Sequence, residues 1–249
     1  MTRHPLAPFL LLALACFGAA TSSAADAFDY GDIAQSPSER YDEALKHLYG
    51  VDGYDKNRSA AIASLKKAAS EDHAPSLNLL GMLYLEGNGF FASPRKALKN
   101  FERAAATGDA IAQYNAGYSY LVGRGARANL AQAEKYFLLV VDEKASRSIS
   151  PEDFGPVRRS KAAAYFFLGL LYSDESDADR LDQQKAHRMF LASDALNDPD
   201  AAMLLAIRYA KGDGVAQDQA ESNRFLERYK VASVNQLHNS FSQVYFHGM

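Results

Sequence analysis

The residues with the clearest potential for chemistry are five acids in the segment SDESDADRLD, at positions 173–182. Closely spaced carboxylates are the ligands that calcium-binding loops use, so this segment is a candidate cation site. It lacks the central glycine and the glutamate at the twelfth loop position that such loops contain. The sequence therefore favours a solvated turn whose aspartates cap the following helix.

The other residues that could do chemistry are scattered. Five histidines follow residue 25: His47, His73, His187, His238 and His247. None of them has a second ligand at metal-binding spacing. The sequence contains no Gly-x-Ser-x-Gly elbow, phosphate-binding loop, His-Glu-x-x-His motif or dinucleotide fingerprint. We therefore predict no catalytic residue, no cofactor and no metal, in a protein that is not an enzyme.

The composition is that of an ordinary globular chain. Of its 249 residues, 48% are hydrophobic and 23% are charged, and the net charge is −3. A protein that binds nucleic acid needs a basic surface to neutralise phosphates, and no such footprint is present. Nucleic acid is therefore an unfavoured partner.

The first 25 residues have the features of a secretory signal. They contain one arginine, an apolar run over positions 6–20 and small residues at Ser23-Ala24-Ala25. This pattern predicts a signal peptide cleaved after residue 25 and a periplasmic protein. Retention as a membrane anchor is less favoured, because a spanning helix needs about 20 apolar residues. No later segment is apolar enough to cross a bilayer.

The single cysteine lies inside this signal. Without Cys16 the mature chain has no cysteine, so packing alone must hold it together. The stretch Ala13-Leu14-Ala15-Cys16 loosely resembles a lipoprotein cleavage site, although alanine replaces the usual leucine. An outer-membrane lipoprotein attached through Cys16 remains the alternative.

An internal repeat with a period of 36 residues organises the rest of the chain. Six positions match between two adjacent copies: Gly81, Tyr84, Gly87, Gly89, Ala97 and Phe101 recur as Gly117, Tyr120, Gly123, Gly125, Ala133 and Phe137. A degenerate copy precedes these two and two further copies follow them. The sequence therefore predicts five copies, called repeats one to five here.

Each copy is predicted to contain two helices, called helix A and helix B. Apolar residues at helical spacing mark helix A, and glycines such as Gly87 end it by adopting a left-handed conformation. Ser93-Pro94 supplies the start of helix B, which runs to about Ala106. An interior glycine costs about 1 kcal/mol relative to alanine. We therefore expect Gly81, and its equivalents Gly117, Gly169 and Ala206, to be small so that a neighbouring helix can approach closely.

The pattern Ala-x-x-x-Leu-Gly-x-x-Tyr-x-x-Gly-x-Gly, followed by Lys-Ala-x-x-x-Phe-x-x-Ala-Ala-x-x-Gly, resembles the Sel1-like repeat, a relative of the tetratricopeptide repeat. The resemblance covers roughly residues 38 to 230 and points to an exported bacterial member. It implies an all-α solenoid of about five antiparallel helix pairs. The first copy departs from the pattern, because Leu45 and Val51 replace expected glycines, and the fourth does so at Glu175 and Asp177. Terminal repeats often depart because they cap the stack, but that reason does not cover the fourth.

Four segments follow from this reading: a signal peptide over 1–25, a flexible N-terminus over 26–37, a solenoid over 38–231 and a capping helix over 232–249. The solenoid carries an insertion at 142–161, in which Gly155-Pro156 is expected to stop a short helix. This insertion is either a mobile loop or a contact with a partner. The last segment has five apolar residues on one side at helical spacing: Val234, Leu237, Phe241, Val244 and Tyr245. Contact with a partner is the alternative role of this segment.

A stripe of variable positions on helix A is the predicted protein-binding surface. Counted from the Ala or Ser that begins each copy's apolar pattern, positions +2 and +6 are unusually apolar and aromatic. The predicted contact residues are Asn78, Met82, Tyr114, Tyr118, Phe166 and Met203, and Leu170 and Ile207 complete the pattern. Aromatic residues and methionine are enriched at interface cores. The alternative is that neighbouring repeats bury these side chains, most of all Leu170 and Ile207.

The resulting expectation is a monomeric, non-enzymatic periplasmic adaptor that binds a protein or peptide in a concave groove. The resemblance implies roles as an envelope scaffold, a regulator of signalling receptors, or an immunity protein that neutralises a secreted lipase effector. The alternatives are a lipoprotein assisting polysaccharide export and a cell-wall or β-lactam hydrolase. Relatives with β-lactam activity carry cysteine pairs that this chain lacks, so the hydrolase is the less favoured of the two.

Overall fold

The computed structural model describes residues 35–87, 92–142 and 154–246, with side chains described through Val234 and from residue 155 in the last range. The predicted signal peptide, Cys16 and most of the predicted flexible N-terminus lie outside these residues. Within them the chain forms ten α-helices and no strand: α1 Pro37–Tyr49, α2 Arg58–Ser70, α3 Ala74–Glu86, α4 Pro94–Ala106, α5 Ala110–Val122, α6 Leu130–Val141, α7 Phe154–Ser173, α8 Gln183–Ala195, α9 Pro199–Lys211 and α10 Gln219–Phe246.

Consecutive helices pack as five pairs, each made of one helix A and one helix B. Odd-numbered helices are A and even-numbered helices are B, and each B packs in turn on the next A. The A helices α3, α5 and α7 also contact one another directly, so they form a layer of their own. The predicted all-α solenoid of five antiparallel helix pairs is confirmed.

The interior glycine of helix A makes room for a phenylalanine on helix B of the same repeat. A Cβ atom added to Gly81 would lie 2.7 Å from Cδ1 of Phe101 and 2.9 Å from its Cζ. The same contact recurs between Gly117 and Phe137, where an added Cβ would lie 2.8 Å from Cε1. The prediction that this position is small for close helix approach is therefore confirmed, and the approaching group is an aromatic ring.

The first repeat fills the equivalent space with a different pair of residues. Gly50 has φ +69° and caps α1 as Gly87 caps α3, so the first repeat retains its capping glycine. The prediction that Val51 replaces it is wrong, because the helix ends earlier than the 36-residue register assumes. In the corrected register the small position is Ala44, which is fully buried, and helix B carries Leu65 instead of phenylalanine.

The insertion between the third and fourth repeats is shorter than predicted. Helix α7 begins at Phe154, so the second half of the predicted 142–161 insertion is helical, and residues 143–153 lie outside the described part. Gly155-Pro156 begins this helix instead of stopping one. Proline is tolerated there because the first-turn N–H groups have no acceptor within the helix.

Both ends of the solenoid also differ from the prediction. Ser36 caps α1, accepting a hydrogen bond from Glu39 N–H (3.2 Å), so residues 35–37 belong to the helix start instead of a flexible segment. At the other end α10 is one continuous helix over Gln219–Phe246. The predicted separate helix over 232–249 is therefore the second half of helix B of the fifth repeat, as far as residue 246.

Candidate protein-binding site

The acidic turn of the fourth repeat is built from helix caps and ion pairs. Asp182 caps α8 by accepting a hydrogen bond from Lys185 N–H at 2.8 Å, as predicted. Asp174 accepts from both the N–H and the hydroxyl of Ser176 (2.9 and 2.7 Å). In the part of the chain that the structure describes, no three His, Cys, Asp or Glu side chains are gathered as metal ligands.

Contacts to the third repeat hold the turn of the fourth repeat, which lacks the glycines of the other turns. Tyr172 is buried and donates its hydroxyl hydrogen to Glu134 on α6 at 2.7 Å, and Arg180 from the turn donates to the same carboxylate at 3.2 Å. Lys185 covers the tyrosine ring, with Nζ 3.7 Å from its centroid. Burial, and then the bond to Glu134, raise the pKa of Tyr172. The turn is thus held by side chains instead of by left-handed glycines.

Two histidines are packing residues. His73 precedes α3 and its Nδ1 lies 2.9 Å from Ser76 Oγ. His187 on α8 has its Nε2 3.3 Å from the Tyr209 hydroxyl. Burial lowers the pKa of both histidines, and Arg208 lowers that of His187 further.

The predicted contact residues, with Leu170 and Ile207, are called the helix-A stripe, and the structure divides them into two tiers. At position +6, Met82, Leu170 and Ile207 are 43%, 39% and 41% exposed. At position +2 all four residues are half-buried: Asn78, Tyr114, Phe166 and Met203. Leu170 and Ile207 were the two for which burial was most favoured, and that interpretation is wrong. Among the six predicted contact residues, only Met82 belongs to the exposed class.

The half-buried tier is held by contacts between neighbouring repeats. Asn115 on α5 donates a hydrogen bond to Asn78 Oδ1 on α3 at 2.8 Å. Phe166 lies 6.0 Å from Phe190 between ring centroids, within its own repeat. Variable positions at +2 therefore contribute to packing of the solenoid, both between repeats and within one repeat.

An aromatic cluster lies at the centre of the stripe. Phe167 on α7 contacts both tyrosines of α5, with its ring centroid 6.4 Å from that of Tyr114 and 5.6 Å from that of Tyr118. Tyr114 also contacts Phe137 at 6.1 Å, and its ring stacks on Tyr118 at 6.2 Å. Phe167 was not predicted, because spacing along a single A helix does not show which side chains of neighbouring A helices face each other.

The stripe is apolar and carries no charged side chain of its own. Burial raises the pKa of Tyr114, and electrostatic interactions with Tyr118 and Asp198 raise it further. Asp198 precedes α9, where its carboxylate accepts hydrogen bonds from Ser193 Oγ at 2.9 Å and from Asp200 N–H at 3.0 Å. Tyr114 therefore stays neutral near pH 7. An uncharged, partly aromatic surface of this kind can bury apolar side chains of another protein.

Comparison with known proteins identifies the repeat. The Sel1 repeat matches at residues 47–73, 74–109, 110–139, 162–193 and 199–228, which together make up more than half of the chain. The chain belongs to the Sel1 repeat family. Each match after the first begins at or near a helix A and extends into helix B of the same pair.

Among solved structures, this Sel1 repeat chain is similar to a Sel1 repeat protein from Oxalobacter formigenes, with 24% identity, a TM-score of 0.63, and coverage of 79% of this chain and 73% of that one. A putative Sel1 repeat protein from Klebsiella pneumoniae has 18% identity and a TM-score of 0.46, with coverage of 84% and 92%. The immunity protein Pa5087 from Pseudomonas aeruginosa has 16% identity and a TM-score of 0.36, with coverage of 79% and 81%. The likeness to the Oxalobacter formigenes protein, at 24% identity, shows the fold alone. No curated protein sequence is significantly similar to the chain.

None of the described helices combines the length and the apolar character that crossing a bilayer requires.

Proposed function

We propose that this Sel1 repeat protein is a non-enzymatic adaptor of the periplasm, and that it binds another protein through the helix-A stripe. Extended repeat arrays present one equivalent surface position per repeat, which suits them to bind proteins. The predicted export signal supports the periplasmic location.

The observation that carries the proposal is the residue type at position +6. In the corrected register this position holds Leu45, Met82, Tyr118, Leu170 and Ile207, and none of them is charged. Three are exposed, so packing within the protein does not require an apolar residue there. Single exposed leucines are common, but a row of them at equivalent positions marks an interaction surface.

Two specific roles fit this proposal. In one, the protein neutralises a secreted lipase-like effector of a type VI system as its immunity protein; in the other, it organises or regulates envelope proteins. The alternative is an outer-membrane lipoprotein that is attached through Cys16 and assists polysaccharide export. A cell-wall or β-lactam hydrolase is the rival class, and turnover of such a substrate by the purified protein would refute the adaptor proposal.

The experiment compares charge substitutions on the stripe with matched substitutions on helix B. Met82→Glu and Leu170→Glu place charges on exposed stripe positions, whereas Leu138→Glu and Leu191→Glu do so at exposed positions of α6 and α8. Partners are captured from the source envelope with the tagged protein, identified by mass spectrometry, and then titrated as purified components.

We expect the stripe variants to weaken binding of the captured partner by about 2 kcal/mol or more, because a buried charge without a counter-ion is costly. The helix B variants should bind as the wild type does, and all four should retain its helix content. If the helix B variants weaken binding and the stripe variants do not, the proposed surface is wrong.

Tyr114 and Tyr118 are unsuitable for this test. The sequence alone suggests replacing both by alanine to remove binding while leaving the fold intact. Their rings pack against Phe137 and Phe167, so the double replacement also removes core contacts. Earlier melting of that variant would not identify the contact surface.

A further inference from the structure

A histidine lies at the contact between the fourth and fifth repeats, which is called the α8–α9 joint here. His187 on α8 is half-buried, and its Nε2 lies 3.3 Å from the hydroxyl of Tyr209 on α9. The two rings meet edge to face, with centroids 5.5 Å apart. Tyr209 in turn stacks on Phe225 of α10, at 5.7 Å between centroids. Through one tyrosine, the imidazole is thus connected to both helices of the fifth repeat.

The equivalent position of the other repeats carries other chemistry. It is the residue that follows the buried alanine of helix B, and in the first two repeats it is a buried apolar residue, Ile62 or Leu98. In the third repeat it is Glu134, which accepts the hydroxyl hydrogen of Tyr172 from the next repeat. Imidazole is the side chain that ordinarily changes its charge between pH 5 and 8. Of these four positions, only that of His187 holds such a group.

The surroundings of the imidazole oppose a positive charge on it. Its Nδ1 is buried and has no hydrogen-bond partner. The guanidinium of Arg208 on α9 is buried nearby, where it donates to Gln183 Oε1 at 2.8 Å and lies 3.7 Å from the Asp213 carboxylate. Burial, and then the charge of Arg208, lower the pKa of His187.

The other helices around the joint offer the imidazole no counter-charge. From α7, the buried titratable side chain is Tyr172, whose hydroxyl is already bound to Glu134. From α10, the buried side chains are those of Ser222 and Phe225, and both are uncharged. In the part of the chain that the structure describes, no carboxylate stabilises the charged form of His187.

Protonation of the imidazole would therefore disturb the joint. In the neutral ring Nε2 can accept the hydroxyl hydrogen of Tyr209, but a protonated ring carries N–H on both nitrogens and accepts nothing. The Nδ1–H group would stay buried without an acceptor, close to the charge of Arg208. A buried charge without a partner is costly, so the proton binds better when the joint is open and water reaches the ring.

We propose that the α8–α9 joint is an acid-sensitive switch, which releases the fifth repeat reversibly from the rest of the solenoid when His187 takes up a proton. Each repeat of a solenoid contacts only its neighbours, so the terminal repeat is held by a single joint and can open while the others stay folded. The ion pair between Arg228 and Asp194 also connects these repeats, so opening breaks it as well. The switch does not depend on the helix-A stripe, so it stands or falls separately from the proposed function.

The direction of the effect follows from the lowered pKa. In the open state His187 is expected to titrate near its ordinary value of about 6.5, whereas in the closed state it takes up its proton only at a lower pH. The closed state therefore loses stability as the pH falls below about 6.5, and the loss is complete below the pKa of the closed state.

Hydrogen exchange of the purified full-length protein, read by mass spectrometry at pH 7.5 and 5.5, tests the proposal. Exchange rates are corrected for the intrinsic effect of pH on amides. We expect the protection of α9 and of the first half of α10 to fall about three- to tenfold relative to that of α3–α6. One proton that only the open state binds changes the opening constant by at most about tenfold per pH unit, and binding begins near pH 6.5.

Two substitutions of the histidine remove the titrating group and keep an acceptor for Tyr209. His187→Glu introduces the side chain that the third repeat has at this position, and a carboxylate does not ordinarily titrate between pH 5.5 and 7.5. His187→Gln introduces an uncharged acceptor. In each variant the protection of α9 should be the same at both pH values, whatever its absolute level. If one variant does not protect α9 at pH 7.5, the other supplies the comparison.

His73→Gln is the matched control, because burial also lowers the pKa of His73, which precedes α3. This variant should keep the full loss of protection in α9. The proposal is wrong if protection of α9 in the wild type is the same at both pH values, or if it falls by the same factor in every repeat. It is equally wrong if the variants of His187 keep the loss that the wild type shows.

Discussion

The size match between Gly81 and Phe101 can be tested by giving the second repeat the residue pair that the first repeat has at these two positions. Gly81→Ala places a methyl group 2.7 Å from Cδ1 of the phenylalanine ring, well inside van der Waals contact. Alanine itself would stabilise a helix interior by about 1 kcal/mol. Overpacking a dense core costs about 1–3 kcal/mol. Because the ring is buried on all sides, we expect a net loss of about 1–2 kcal/mol of unfolding free energy.

The compensating change is Phe101→Leu. Alone it leaves part of the ring's volume empty, and it should cost about 1–2 kcal/mol. Together the two changes reproduce the combination of Ala44 and Leu65 found in the first repeat. The double variant should therefore lie within about 1 kcal/mol of the wild type, with a favourable coupling energy of at least about 1 kcal/mol.

Urea unfolding followed by circular dichroism measures all four proteins of this cycle. Gly155→Ala serves as the matched control, because Gly155 is also helical but an added Cβ meets only Arg159 Nη1, at 4.0 Å. This control should be neutral or stabilised by up to about 1 kcal/mol. If the losses from Gly81→Ala and Phe101→Leu simply add, the size-matching argument is wrong.

Three further outcomes follow from the packing between repeats. Tyr172→Phe removes a hydrogen bond to a carboxylate and should lower the unfolding free energy by about 1–2 kcal/mol. Tyr209→Phe loses only a longer bond to His187 and should lower it by less. Equal losses in the two variants would contradict this. Asp182→Ala removes the N-cap of α8 and should lower the unfolding free energy by about 1 kcal/mol. An unchanged melting temperature would disprove this prediction. Because burial and Arg208 lower the pKa of His187 in the folded state, the unfolded chain takes up its proton first as the pH falls below about 6.5. Stability should therefore decrease on acidification below that pH, and His187→Gln should reduce this slope; an unchanged slope would show that the histidine does not contribute.

The sequence was sufficient to predict the repeat, its helix pairs and the reason for Gly81. These features depend on contacts within one repeat, so they recur at a fixed period and leave a signal that one sequence can show. The first repeat shows where this reasoning fails. Val51 was aligned with a capping glycine because a constant period was assumed, whereas Gly50 is the residue that ends α1. The extra residue lies in the connection to α2, and length changes in connections are invisible to a fixed register.

Contacts between repeats were harder to predict. The anchoring of Arg180 to Glu134 joins residues from different copies, and among the described residues no other repeat has an equivalent ion pair, so it leaves no periodic signal. The contact of Phe167 with Tyr118 joins A helices of two different repeats, so it also leaves no periodic signal. The second half of α10 was recognised as helical, and its continuity with helix B could also have been predicted, because no glycine or proline interrupts positions 219–246.

The two tiers of the helix-A stripe differ in what their apolar character means. At position +2, packing within the solenoid half-buries the side chains, so an apolar residue such as Phe166 is already explained by stability. At position +6 the exposed residues gain little from packing, and a charged residue there would cost the fold almost nothing. The helix B position of Leu138 and Leu191 shows this tolerance, because other repeats place Lys66, Glu102 and Glu227 there. Position +6 avoids charge in all five repeats, although the fold does not require an apolar residue at the three exposed positions, and this favours the proposed binding of another apolar surface.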